Sequence, residues 1–278
     1  MMLPLLYLAV QKLAYTNLML LAWLAGIAIN NPEGTSNTPS GSKSTDAAVK
    51  TTMITSSSLK GVDVSKWQKE VDWDQLKQSD VTFAFVKATQ DDYRLDPFFG
   101  RNWEETKRVG IKRGAYHFYI PAAPVQSQID FFINTVQLEA GDLPPVLDVE
   151  VIDKHTSGAE LRRGMHKWLE AVTEHYGVKP IIYTNQNFYR RWLQGHFKEY
   201  HFWIARYSTV EPDIDQEDKW LFWQYTDRGR IPGVNANIDL NFFVGDWNSL
   251  NMMCVPPKLL PYSEQLILAE LEQLEVAK

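Results

Sequence analysis

The 278-residue sequence predicts an α/β fold, an irregular (β/α) barrel of the TIM-like kind, from three observations. Eight short β-type runs lie between Leu59 and Leu250: GVDVS, VTFAFVKAT, RGAYHFYI, PPVLDVEV, KPIIYTN, HFWIARYS, WLFWQYT and NIDLNFF. Several are apolar without strict alternation, as strands covered on both faces must be. Helical stretches separate the first five runs, whereas the connections after HFWIARYS are too short for full helices. The barrel is therefore expected to be regular in its first half and strand-rich in its second.

The first thirty residues carry one charge, Lys12, and an apolar run from Leu18 to Ile29. A run of about a dozen residues ending in Gly26-Ile27-Ala28 suits a signal peptide. The uncharged stretch from Leu13 to Pro32, about twenty residues, is also long enough for a membrane anchor. Either reading makes the protein an exported one, secreted or periplasmic, that meets a membrane only through this segment. Residues 31–58 are rich in Ser, Thr, Gly, Asn and Pro, lack apolar periodicity, and read as a flexible linker. The single catalytic domain spans 59–250, with helices expected over Asp72–Lys77, Phe98–Val109, Pro124–Val136 and Ser157–Tyr176. Ser157 is an N-cap candidate, Glu160 is acidic in the first turn, and Gly177 is a stop signal. In the tail, 251–278, Ile267, Leu271 and Leu274 recur at helical spacing and predict an amphipathic helix.

Composition excludes several function classes. Acidic side chains number 34 against 28 basic ones, a net charge of −6 with no long basic run, so nucleic acid is not an expected partner. Cys254 is the only cysteine and cannot form an internal disulfide, and the six histidines show no zinc-ligand spacing. A monomer is expected.

Reactive groups of a parallel barrel gather at the carboxyl ends of its strands. Asp63, Asp148, Glu150, Tyr183, Asn185, Arg206, Gln224 and Tyr225 occupy such places, and Asp239 opens the last run. In Pro-Pro-Val-Leu-Asp148-Val-Glu150-Val the two acids, at i and i+2 of a strand, face the same side. Repulsion between close carboxylates raises the pKa of one, and a carboxyl kept protonated near neutrality can protonate a leaving oxygen, the logic of glycosidic hydrolysis. Ten tryptophans and twelve tyrosines accompany these acids. Tyr116, Tyr119, Tyr183, Trp203, Tyr207, Trp223 and Tyr225 lie beside the expected opening, where aromatic faces suit the C–H faces of sugars. His117 reads as a packed, hydrogen-bonded histidine.

The ordered motifs GVDVSKWQ, FVKAT, DPFFGRNW, GAYHFY, PVLDVE, IIYTN, FWIARY, FWQYT and IDLNFF, over about residues 60 to 248, resemble the glycoside hydrolase family 25 lysozymes, the Chalaropsis-type muramidases. The resemblance implies cleavage of the β-1,4 bond between N-acetylmuramic acid and N-acetylglucosamine in peptidoglycan glycan strands. Glu150 then matches the general acid, and Asp148 the partner of the substrate's 2-acetamido group, which acts as internal nucleophile with net retention. Asp63 and Asp239 match supporting acids, and no metal or organic cofactor is implied. One departure concerns Gln90-Asp91, where many members carry Glu-Gly after KAT. Two alternatives stand beside this reading: a hydrolase whose carboxylates hold Mg²⁺ or Ca²⁺, and a non-catalytic glycan-binding module.

Overall fold

The structure, a computed structural model, describes residues 58–257. The expected leader, nearly all of the linker and the tail helix lie outside the described residues. Among the described residues, no helix is long and apolar enough to cross a membrane.

The strands are β1 (Leu59–Val64), β2 (Phe83–Gln90), β3 (Arg94–Leu95), β4 (Lys112–Phe118), β5 (Val146–Asp148), β6 (Ile181–Asn185), β7 (His201–Ala205), β8 (Lys219–Gly229) and β9 (Ile238–Phe243). They follow the order β1-β9-β8-β7-β6-β5-β4-β2-β3, and pairing of β1 with β2 closes eight of them into a barrel, with β3 a two-residue flap on β2. Neighbours run parallel from β1 through β2, β4, β5, β6 and β7 to β8. By contrast β9 is antiparallel to both β8 and β1. The eight expected strands are therefore all present, in a mixed ring.

The reversal of β9 follows from the short connection after β8. A parallel return needs a crossover of about a dozen residues or more, and only residues 230–237 separate Gly229 from Ile238. The reversal carries Asp239, at the start of β9, to the end where the parallel strands finish. Asp239 pairs directly with Asp63 of β1.

Helices pack outside the ring: α1 (Trp73–Gln78), α2 (Phe99–Arg108), α3 (Val125–Thr135) and α4 (Gly158–Tyr176). Each lies within a residue of its expected bounds at either end. Asp72 caps α1 by accepting from the Gln75 amide. Ser157 and Glu160 form a reciprocal capping box on α4, and Gly177 ends it with φ at 73°, a left-handed conformation that glycine adopts without strain. The buried stripe Leu161, Met165, Trp168, Leu169 and Val172 presses α4 onto the outer barrel wall. Besides β3, two helical elements were not foreseen. One is a short helix α5 (Gln186–Phe188) running into a π turn over Tyr189–Leu193, and the other is α6 (Trp247–Met253).

Aromatic rings fill the barrel lumen. Phe85 stacks on Trp203 at 4.5 Å and meets Phe222 edge-on at 5.1 Å, with Phe83, Phe243 and Tyr183 around them. Gly61 and Gly114 make room for this, since a Cβ on either would come within 2.3 Å of Phe83 or 2.7 Å of Phe85. At the opposite end from Asp63 and Asp239, Leu250 and Cys254 join the same inner cluster and seal the floor. The buried Arg113 guanidinium, 4.0 Å above the Trp103 ring, pairs with Asp142 at 2.8 Å and ties the floor loops to β4.

Candidate active site

The carboxyl ends of the parallel strands and the amino end of β9 enclose a cleft of about 220 Å³ that Asp63, Asp148, Glu150 and Asp239 all line. Parity along each strand sends these side chains inward. Asp63 follows the buried Val62, Asp148 ends β5, and Glu150 lies two residues further on the same side.

Asp63 is held from both flanks. Its Oδ2 accepts from Gln224 Nε2 and from Asn241 Nδ2, each at 2.8 Å. Those amides are themselves oriented: Tyr183 Oη and Tyr207 Oη donate to Gln224 Oε1 at 2.8 and 3.0 Å, and Trp203 Nε1 donates to Asn241 Oδ1 at 2.8 Å. Burial pushes the Asp63 carboxyl up to about 6, against the lowering effect of the two amide donors. Asp239 is pushed up to about 8, first by burial and then by the negative charges of Asp63, Asp227 and Glu150.

Asp148 and Glu150 hydrogen-bond each other, and burial raises both. Asp148, 4% exposed, lies deeper, and the charge of Glu150 raises it further, well above the ordinary carboxylate range. The two carboxyls therefore titrate as a coupled pair rather than independently. Asn185 hydrogen-bonds Glu150 from the end of β6. Its Oδ1 accepts from the Phe188 amide at 2.9 Å, which leaves its NH₂ to donate to the carboxyl. Asp148 Oδ1 is buried and has no hydrogen-bond partner. A buried acceptor in that state is costly unless a ligand donates to it.

Glu150 also borders a second cavity of about 650 Å³, with Asn185, Gln186, Asn187, Arg206 and Tyr207 on its walls. The general-acid candidate therefore stands where two compartments meet. Of the aromatic candidates, Tyr116, Tyr183 and Trp203 line the first compartment, and Arg206 lines the second, with its guanidinium donating to the Glu211 carbonyl. Trp223 and Tyr225 are not brought to the cleft. They flank Gln224 on β8, so the inward turn of Gln224 sends both outward. There they pack with Phe242, at ring distances of 6.2 and 4.7 Å, and Trp223 Nε1 donates to the Arg206 carbonyl. His117 also faces outward, accepting from Thr89 Oγ1 at Nδ1 and donating from Nε2 to Gln128 Oε1. Burial lowers its pKa to about 4.

Several cleft residues were not singled out beforehand. Lys87, Phe118 and Asn241 each lie two positions from an inward residue, Phe85, Tyr116 and Asp239, so strand parity was the signal that could have found them. Trp67, 72% exposed, also unforeseen, stands at the rim beside Tyr207, 55% exposed, which the sequence places near the site. Trp67 lies in a loop, where no periodicity announces it. Among the described residues, no group of three or more His, Cys, Asp or Glu is placed to hold a metal ion.

Comparison with known proteins agrees with this geometry. Residues 62–234 match the family described as Glycosyl hydrolases family 25. The chain is 43% identical over 194 residues to the uncharacterized protein YegX of Escherichia coli O157:H7, covering 67% of this chain and 70% of that protein. It is 31% identical over 207 residues to Lysozyme M1 of Streptomyces globisporus, covering 68% and 69%. A family 25 glycosyl hydrolase from Bacillus anthracis superposes with a TM-score of 0.67 at 32% identity, over 70% of this chain and 93% of that one. The family match and the closed mixed barrel together make the protein a glycoside hydrolase, and the chain belongs to glycosyl hydrolase family 25.

Proposed function

We propose that the protein is a peptidoglycan-cleaving lysozyme that hydrolyses the β-1,4 bond between N-acetylmuramic acid and N-acetylglucosamine with net retention. The observation that carries this reading is the Asp148–Glu150 pair, whose deeper member offers a buried, unpartnered Oδ1. Glu150, at the junction of the two cavities, protonates the glycosidic oxygen as the bond breaks. Asp148 Oδ1 accepts the N–H of the substrate's 2-acetamido group. The acetamido oxygen attacks the anomeric carbon, and the oxazolinium ion that forms keeps its charge beside the Asp148 carboxylate. Glu150, now ionised, takes a proton from the water that opens this intermediate. Asp63 and Asp239 shape the field of the pair, and Tyr116, Tyr183, Trp203 and the rim residues Trp67 and Tyr207 receive sugar faces. The lysozyme relative supports peptidoglycan as the substrate. That polymer lies outside the cytoplasmic membrane, in keeping with export by the apolar segment over residues 1–30, cleaved or retained as an anchor.

Clearing of a peptidoglycan suspension by the wild type and not by Glu150→Gln, with N-acetylmuramic acid at the new reducing end by mass spectrometry, is the expected result. N-acetylglucosamine at that end, or clearing by Glu150→Gln at the wild-type rate, overturns the reading. Retention is read from the anomeric configuration of the first-formed product by NMR.

A further inference from the structure

The two compartments of the site share two wall residues, Glu150 and Tyr207, and so form one groove with its neck at the proposed general acid. The chemistry differs on either side of that neck. The first compartment is lined by four carboxyls, those of Asp63, Asp148, Glu150 and Asp239. The second is larger, about 650 Å³, and among the residues lining it Glu150 is the only acid and Arg206 the only cation. Arg206 follows β7, is half-buried, and donates from its guanidinium to the backbone carbonyl of Glu211, a neutral acceptor. That bond holds the planar fork in place and leaves further N–H donors and the permanent positive charge for a ligand. Gln186 adds a neutral donor on the facing wall: its Oε1 accepts from the Asp213 amide at 2.8 Å, which leaves its NH₂ group.

We infer that Arg206 recognises the carboxylate carried by the lactyl arm of a muramic residue, on the arm itself or on a peptide attached to it, in the part of the strand that departs as leaving group. The inference rests on the lysozyme reading and adds what the leaving side of the groove selects. In that reading Asp148 receives the acetamido group of the sugar whose bond breaks, so this sugar fills the first compartment. Glu150 protonates the oxygen that departs with the next sugar, which therefore lies past the neck, in the second compartment.

The two sugars alternate along the strand. Cleavage after N-acetylmuramic acid places the uncharged N-acetylglucosamine just past the neck and a second muramic residue beyond it. The lactyl arm sits on C3, beside the C4 oxygen that joins this residue to N-acetylglucosamine, so its carboxylate is the first negative charge met on the leaving side. The muramic residue in the first compartment carries its own arm at the end away from the neck, out of reach of Arg206. A strand shifted by one sugar would bring an arm to the neck itself, against the Glu150 carboxyl. Pairing of the more distant carboxylate with Arg206 thus selects which of the two alternating bonds stands at the general acid.

The test is calorimetric binding to the full chain carrying Glu150→Gln, which blocks turnover, using tetrasaccharides of the alternating strand that end in a muramic residue. One carries a free lactyl carboxylate on the end residue and a methylamide on the inner one, the second has the reverse, and the third replaces the end carboxylate of the first with an alanyl-isoglutamate arm. Adding Arg206→Gln is expected to weaken binding of the first, the third or both by about tenfold or more, the scale of a hydrogen bond between ionised groups, and to leave the second unchanged. Which of the two is weakened tells whether a lactyl or a peptidyl carboxylate is read. Arg206→Lys restores part of the loss, because it keeps the charge without the fork. Equal losses for all three would mean that Arg206 only holds its own loop through the Glu211 carbonyl, and that result overturns the inference. Unchanged affinity for all three, or a loss confined to the second, overturns it as well. In each of these cases the strands are bound and the substrate reading stands. Failure of both the wild type and Glu150→Gln to bind any of the tetrasaccharides defeats the substrate reading and this inference with it.

Discussion

A carboxyl in a dry cleft carries its chemistry through its proton. Glu150→Gln keeps the shape and the Asn185 contact but removes the transferable proton, so kcat on peptidoglycan is expected to fall by about 10² to 10⁴-fold, measured by turbidity clearing. The same acids weaken the fold at high pH. In the unfolded chain Asp63 and Asp239 titrate near 3.8, and in the fold near 6 and 8, so the native state holds protons that the open chain releases. Their contribution to stability is fully present below about pH 3.8 and is lost as pH rises through about 6 and then about 8. Asp239→Asn should therefore raise Tm at pH 9, by about 2 to 4 °C for each kcal/mol of repulsion removed, and leave it unchanged near pH 4. Calorimetry at the two pH values checks this. The four acids were readable in the sequence because each stands at a strand end. The placing of Trp223 and Tyr225 was not, because proximity along the chain conceals that adjacent strand residues face opposite sides of the wall.

At the level of elements, the helices were legible because their end signals are local. Asp72, Ser157 with Glu160, and Gly177 mark boundaries that the structure reproduces within a residue. Ser157→Ala removes the half of the α4 capping box made by the Ser157 hydroxyl, keeps the bond from the backbone N–H of residue 157 to Glu160, and should cost about 1 kcal/mol of stability in denaturant unfolding, with kcat unchanged, because the cap lies outside the cleft. The pairing that ties the floor loops to β4 should weigh more. Arg113→Met strands Asp142 in a buried position and is expected to cost about 3 to 5 kcal/mol. What could not be read was strand direction. Nothing in NIDLNFF distinguishes a parallel from an antiparallel strand, and only the length of the preceding connection bears on it. Irregular pairing hides side-chain facing as well: the shift between Phe202 and Trp203 places Trp220 in the outer shell and Phe222 in the lumen, although the two are only two positions apart.

Taken as a whole, the ring explains how residues from 63 to 239 share one opening. Asp63 and Asp239 are first and last among the four acids along the chain, yet they are direct partners across the β1–β9 seam. The proposed hydrolysis draws on protein protons and the substrate's own amide, so activity is expected to persist after exhaustive EDTA treatment. Loss of clearing, restored by Mg²⁺ or Ca²⁺, would favour the metal-dependent alternative. The reversed strand β9 also governs how the barrel can be mounted. Leu59 and Phe243 are paired at the far end of the seam, so the polypeptide enters and leaves the barrel on the side away from the catalytic opening. An affinity label joined at either point would be attached at the barrel's back, clear of the groove through which a polymer must pass.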